Sequence, residues 1–266
     1  MSAELEAAAL GLIQGATELL PVSSSAHVAM LPWLLGWEMA AWPPDRRKEL
    51  EVALHFGAAV AMAPELWWAA PDTLTLVLSA APAALAGFAF ERAVERHLGG
   101  PVAIAGGLLA GAIALAAADT RAPSRSPRAV EARRRGFRAA RPPARVSARD
   151  ALALGLAQAA ALAPGVSRTG ATLATARALG YSREDASALS FGVAGPVLGG
   201  ATVLKALRLP PTHRRVAAVA AASAFAATTL ALRTLGVARH KPLWPYALER
   251  AALAGGILAV RYRRSR

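Results

Sequence analysis

The sequence predicts an all-α, polytopic integral membrane protein: an inverted repeat whose halves are each a re-entrant helical hairpin followed by three transmembrane helices. Three observations carry that reading. Apolar residues make up 55% of the 266-residue chain and mean hydropathy is +0.36. Long Ala/Leu/Val/Gly stretches recur between short charged loops, as in multi-span helical proteins. Two of the stretches, 144 residues apart, are variants of one another, each interrupted by polar residues and each followed by three apolar segments.

Taken in order, the first interrupted segment covers about 5–35 and breaks at Pro21 through His27. Apolar segments follow near 51–70, 73–90 and 99–118, each close to the roughly 20 residues that cross a bilayer. The second interrupted segment covers about 150–180 and breaks at Pro164 through Gly170; spans near 185–204, 214–236 and 246–262 follow. Proline followed by Ser, Thr or Gly ends one helix and caps the next. Irregular backbone at membrane depth is tolerated only where protein buries it or it lines a cavity, so each interrupted segment reads as a hairpin of two half-helices. Gly11-Leu12-Ile13-Gln14 matches Gly155-Leu156-Ala157-Gln158, and Leu54-His55-Phe56-Gly57 resembles Leu189-Ser190-Phe191-Gly192. Three crossings are odd, so the halves face opposite ways and the breaks meet near the midplane. The expected division is 1–118, an Arg-rich loop 119–149, and 150–266.

Charge and composition narrow the partners. There are no cysteines, which excludes disulfides and thiolate metal sites. The first charges are Glu4 and Glu6, so the N-terminus is not expected to be a cleavable signal. The net charge of +13 comes largely from ten arginines between Arg121 and Arg149 and four in Arg261 through Arg266. No nucleic-acid motif or interleaved aromatics accompany them, so no nucleic-acid partner is expected. Basic loops beside spans suit anionic lipid headgroups, although a solvated arginine-rich linker explains 121–149 as well. Lys and Arg balance between the two predicted faces, so orientation stays open.

The chemistry sits at the breaks. Half-helices beginning at Ser23-Ser24-Ser25 and near Ser167-Arg168-Thr169 aim unpaired N–H groups into the breaks, and such termini bind phosphate. Arg168 adds a planar fork for phosphoryl oxygens; a charge at the bilayer centre costs ~2.5–3.5 kcal/mol on insertion scales, which argues against a mere cap. Gln14 and Glu18, spaced i, i+4, share one helix face. Glu18 reads as a general base, a Mg²⁺ or Ca²⁺ ligand, or an ion-pair partner of Arg168; Gln14 orients it or ligates a metal. His27 suits proton transfer or attack on phosphorus. His55, Glu65, Arg177, Arg233, Glu249 and Arg250 read as snorkelling, pairing or helix-locking residues, with His55 the next to test.

Gln14-x-x-x-Glu18, then Leu20 through His27, and Pro164-Gly165-Val166-Ser167-Arg168-Thr169-Gly170-Ala171-Thr172 together resemble the undecaprenyl-diphosphatases, the bacitracin-resistance membrane phosphatases. Leu54 through Gly57 and Pro245 through Arg250 extend the likeness over nearly the whole chain. The resemblance implies hydrolysis of undecaprenyl diphosphate to undecaprenyl phosphate and inorganic phosphate, usually with a divalent cation. That recycles the carrier for peptidoglycan at the bacterial inner membrane and confers bacitracin resistance. It implies catalytic roles for Glu18, Ser24, His27 and Arg168; from the residues themselves we expect Glu18 to orient or deprotonate His27. Diphosphate binding falls to Ser23, Ser24, Ser25, Gly165, Ser167, Arg168, Thr169 and Gly170, and metal binding to Glu18 and Gln14. Three positions depart from the pattern: Ala26 stands where glycine is common, Thr169 replaces serine, and Gln14 is the less acidic variant.

Nucleophile, metal, oligomeric state and prenyl length stay open at this point, a homo-oligomer included. The rival class is a polyprenyl-phosphate transporter using the same anion site. A lipid-phosphate phosphatase is disfavoured because Thr169 through Arg177 contain no histidine.

Overall fold

The structure, a computed structural model, describes residues 2–120, 146–208, 212–234 and 242–266. In chain order the helices are α1 (Ala3–Glu18), α2 (Ser24–Leu35), α3 (Pro44–Ala69), α4 (Thr73–Leu98), α5 (Pro101–Asp119), α6 (Ala148–Ala160), α7 (Arg168–Ala178), α8 (Arg183–Gly192), α9 (Ala194–Arg208), α10 (Arg214–Thr234) and α11 (Trp244–Arg264). A 3₁₀ turn lies at Glu38–Ala41, and the described residues contain no strand. The all-helical expectation holds. Most of the expected Arg-rich loop, 121–145, lies outside the described residues.

Thr73–Leu98, Pro101–Asp119, Arg183–Arg208 and Arg214–Thr234 are long and apolar enough to cross a membrane. Helices α3 and α11 contain nearly all of the predicted segments 51–70 and 246–262 but are longer than them, and are diluted by His55 and Glu65 in one and by Glu249 and Arg250 in the other. Leu85, Phe88, Ile113, Leu207 and Leu230 are each more than 60% exposed, whereas Gln14, Glu18, Gln158, Arg177 and Arg250 are buried. Apolar residues outside and polar ones inside is the arrangement that a hydrocarbon solvent selects.

Small residues let the helices approach closely, as in membrane bundles. Helix α1 lies on α10, α6 on α4, and α5 on α11. A Cβ at Gly11 would fall 1.9 Å from Ser223 Oγ on α10, and one at Gly155 would fall 2.6 Å from Leu78 O on α4. One interruption was not expected: α8 and α9 meet at Val193. Pro196, three residues on, has no N–H for the helix ladder, and the Val193 carbonyl accepts from buried Gln158 Nε2 at 3.4 Å.

Both expected breaks are true helix ends. Ser23 (φ 74°, ψ 82°) precedes α2 and Ser167 (φ 65°, ψ 117°) precedes α7. They are the only non-glycine residues with positive φ among the described residues, and they occupy equivalent places in the two similar stretches. Ala26, which stands where the family pattern has glycine, lies inside α2 and is buried; the positive φ belongs to Ser23, three residues before it.

Arg250 ties these ends together. It is fully buried on α11. Its Nη1 donates to Pro21 O at 3.1 Å in the first break, and its Nη2 donates to Gly165 O at 2.7 Å and Val166 O at 2.8 Å in the second. Its Nε reaches Leu108 O on α5 at 3.3 Å. Backbone carbonyls in breaks have no helical partner, and a buried one without a donor costs about 1–3 kcal/mol. A guanidinium with five N–H donors in a fixed fork supplies several at once.

Two stability outcomes follow, read as thermal melting in detergent. A Cβ at Gly111 would fall 1.8 Å from Arg250 Nη2, whereas one at Gly106, on the same helix, meets nothing within 4 Å. Gly111→Ala therefore lowers stability by about 2–3 kcal/mol, and Gly106→Ala does not; equal effects would refute the role given to the guanidinium. Ser23→Gly relieves the left-handed strain and raises stability by about 1 kcal/mol; a lower melting temperature would show that the serine side chain outweighs the strain.

Candidate active site

The carboxylate of Glu18, the last residue of α1, is where the two breaks meet. An i, i+4 spacing puts Gln14 one turn below it, and Gln14 Nε2 donates to Oε2 at 2.9 Å. Ser24 begins α2, and its Oγ donates to the same oxygen at 2.7 Å. Arg168 begins α7, and its Nη2 stands 3.4 Å from Oε1. An amide, a hydroxyl and a guanidinium around one carboxyl is a set of donors that suits an ionised acceptor. The Arg168 contact is longer than the 2.7–2.9 Å typical of a charge-assisted bond, and it is the loosest of the three. Both side chains are well buried, 6% exposed for Glu18 and 16% for Arg168.

The two helix ends differ. Ser167 Oγ caps α7 by accepting from Gly170 N at 3.2 Å, so that N–H is already used. Ser23 makes no side-chain cap bond to α2; its Oγ lies 3.3 Å from Ser25 Oγ. The first N–H groups of α2 are therefore the more available for an anion, and the dipole there favours one. Gly165 (φ 93°) packs its backbone against α5 and presents its carbonyl to Arg250, which gives it a structural task. Thr169 O accepts from Ser190 Oγ at 3.2 Å.

His27, on the first turn of α2, is not paired with Glu18, contrary to the expectation. Its Nδ1 lies 2.8 Å from Ser23 O and its Nε2 lies 2.9 Å from Glu249 Oε1. Glu249 and Arg250, read from sequence as helix-locking or snorkelling residues, thus both reach the breaks. The signal for them was the intramembrane charge itself; the partners, 84 to 229 residues away in sequence, carried none. His55 lies within electrostatic reach of Glu18, with Nδ1 donating to Glu51 O at 2.8 Å.

A cavity of about 100 Å³ adjoins the network. Glu18, Arg168 and Thr169 give it a polar end, and Met62, Phe191 and Tyr246 are among its apolar walls. The serines of the first break and His27 are not in its lining.

The donor set also bears on a metal. Gln14 Oε1 is buried without a hydrogen-bond partner among the described residues, on the amide whose Nε2 donates to Glu18. Both are hard oxygen donors of the kind Mg²⁺ and Ca²⁺ take, and Mg²⁺ is commonly held by one or two carboxylates plus substrate phosphates. No group of three or more His, Cys, Asp or Glu that could hold a metal occurs among the described residues. These residues fit a cation shared with substrate oxygens better than one in a cage of protein ligands.

Comparison with known proteins identifies the family. The family model of bacitracin resistance protein BacA matches residues 7–256. The undecaprenyl-diphosphatase of Geobacter sulfurreducens is 33% identical, covering 98% of this chain and 99% of its own. That of Pelotomaculum thermopropionicum is 36% identical over 77% of this chain and 76% of its own. That of Geobacter metallireducens is 33% identical over 96% and 97%. With a match of this extent, the chain belongs to the bacitracin resistance protein BacA family.

Proposed function

We propose that this chain is a multi-pass phosphatase of the bacterial inner membrane that hydrolyses undecaprenyl diphosphate to undecaprenyl phosphate and inorganic phosphate, recycling the lipid carrier. One observation carries the reading beyond family membership. A single buried carboxylate, Glu18, gathers a hydroxyl from one break and a guanidinium from the other. A diphosphate that takes over the loosely held Arg168 leaves Glu18 in contact with Ser24.

Chemistry then follows from the contacts. Ser24 Oγ attacks the terminal phosphorus as its proton passes to Glu18 Oε2, the P–O–P bond breaks, and prenyl phosphate leaves. Glu18 passes that proton on to the departing prenyl phosphate, and, ionised again, takes a proton from the water that cleaves the phosphoserine to free inorganic phosphate and restore Ser24. Ser24 is favoured over His27 as nucleophile because both His27 nitrogens already face acceptors. Arg168 and the amides at the start of α2 balance the charge that develops on the phosphoryl oxygens. Where a divalent cation is bound, Glu18 and Gln14 Oε1 would hold it, and it would neutralise diphosphate charge.

The proposed architecture is an inverted repeat, 1–118 and 150–266, around the 119–149 loop, with α1–α2 and α6–α7 as re-entrant hairpins. Its support is a set of paired contacts. Helix α1 lies on α10 as α6 lies on α4, Gly11 and Gly155 make the equivalent close approaches, and Ser23 and Ser167 share positive φ.

The test uses the purified full chain in detergent, where no compartments exist, and measures phosphate release from a long-chain prenyl diphosphate. Release is expected, and Arg168→Ala lowers turnover by about 10²–10³-fold; near-normal turnover would falsify the phosphate clamp. Failure to release phosphate, with movement of the lipid across vesicles, would establish the transporter reading instead. In rapid-quench experiments label is expected on Ser24 and is absent in Ser24→Ala; label on His27, or none, would displace serine as nucleophile. Chelation is expected to reduce release, and unchanged release would remove the cation from the scheme.

A further inference from the structure

We infer that Glu249 is a positioning residue for catalysis, holding His27 as a doubly protonated, fixed cation at the phosphate-binding end of α2. The inference deepens the phosphatase reading above and rests on it.

The argument begins at Arg250. Its bonds to carbonyls of both breaks and of α5 fix this turn of α11 against the site, so the neighbouring Glu249 has little freedom to move. Glu249 Oε1 meets His27 Nε2 at 2.9 Å. The ring's other nitrogen, Nδ1, lies 2.8 Å from Ser23 O, and a carbonyl can only accept. A ring whose two nitrogens face a carbonyl and an ionised carboxylate donates to both, which takes a proton on each nitrogen. Histidine is 13% exposed and glutamate 37%, so the pair sits at the edge of the buried network. Glu249 Oε2 is a buried oxygen with no partner among the described residues, so the carboxylate is committed to His27 by one oxygen alone.

The consequence is functional. His27 lies on the first turn of α2, whose leading amides carry no side-chain cap. A cation fixed there adds to the positive end of the helix at the point where phosphoryl charge develops. A histidine oriented from behind by a carboxylate is a recurrent way of setting ring orientation and charge. Here the carboxylate comes from α11 and acts through His27, without touching substrate.

The experiment measures kcat and KM for phosphate release by wild type, Glu249→Gln, Glu249→Asp, His27→Gln and the double variant His27→Gln/Glu249→Gln, each checked by melting temperature. Expected results are a fall in kcat of about 10-fold or more in Glu249→Gln with KM within about twofold, and partial recovery in Glu249→Asp. In the His27→Gln background, Glu249→Gln costs less than about twofold, because its path to the reaction is already gone. Activity within about twofold of wild type in Glu249→Gln, or the same loss in both backgrounds, overturns the inference. Independently of turnover, ¹⁵N NMR of histidine-labelled protein, assigned through His27→Gln, is expected to show two protonated ring nitrogens in wild type and one in Glu249→Gln; an identical His27 signal in the two also overturns it. A wild type that releases no phosphate refutes the phosphatase reading itself, a result distinct from an active wild type with an indifferent Glu249.

Discussion

The guanidinium of Arg250 connects two chain breaks that are far apart in sequence. Each break exposes carbonyls that no helix can satisfy, and in a bundle facing hydrocarbon no bulk water is available to take them. One planar fork on α11 accepts that task for Pro21, Gly165 and Val166 together. Burying a charge among carbonyls is costly, and the arrangement persists because removing it would leave several polar groups orphaned at once. The room for it comes from Gly111, where even a methyl group would overlap the guanidinium. Everything described at the site, the Glu18 network included, relies on both breaks being held in this register.

Given that register, the halves contribute unequal parts. Similar stretches lead to similar helix ends, both introduced by a serine with positive φ. The residue after that serine is Ser24 in one half and Arg168 in the other, and both turn toward the same carboxylate. Strain of this kind persists where surrounding structure over-determines it. The similarity of the two stretches supplies two like helix ends, and their difference places a hydroxyl on one and a guanidinium on the other.

Hydropathy and polar interruptions made most of the fold legible, because in a membrane protein the backbone must satisfy itself within helices and little else competes. The Gln14–Glu18 contact was legible for the same local reason, since an i, i+4 spacing fixes which side chains meet. Arg168 stood out because an intramembrane charge demands a purpose. The rest was not local. His27 meets Glu249 across 222 residues, and nothing in either neighbourhood announces the other. Arg250 binds backbone carbonyls, which have no side-chain signature at all. The positive φ of Ser23 and Ser167 ran against residue type, since a serine gives no signal of left-handed backbone. The join at Val193 was missed because Pro196 lies within an apolar run that otherwise reads as one span.

The location of Arg250 in the chain also sets an order of assembly. During synthesis both breaks emerge, and their helices enter the membrane, before residue 250 exists. Until α11 inserts, Pro21, Gly165 and Val166 lack the donor that holds them in the finished protein. The nascent chain must therefore shelter those carbonyls in other ways, with water or with the insertion machinery. The clamp that joins the two breaks closes only after α11 has been made and inserted.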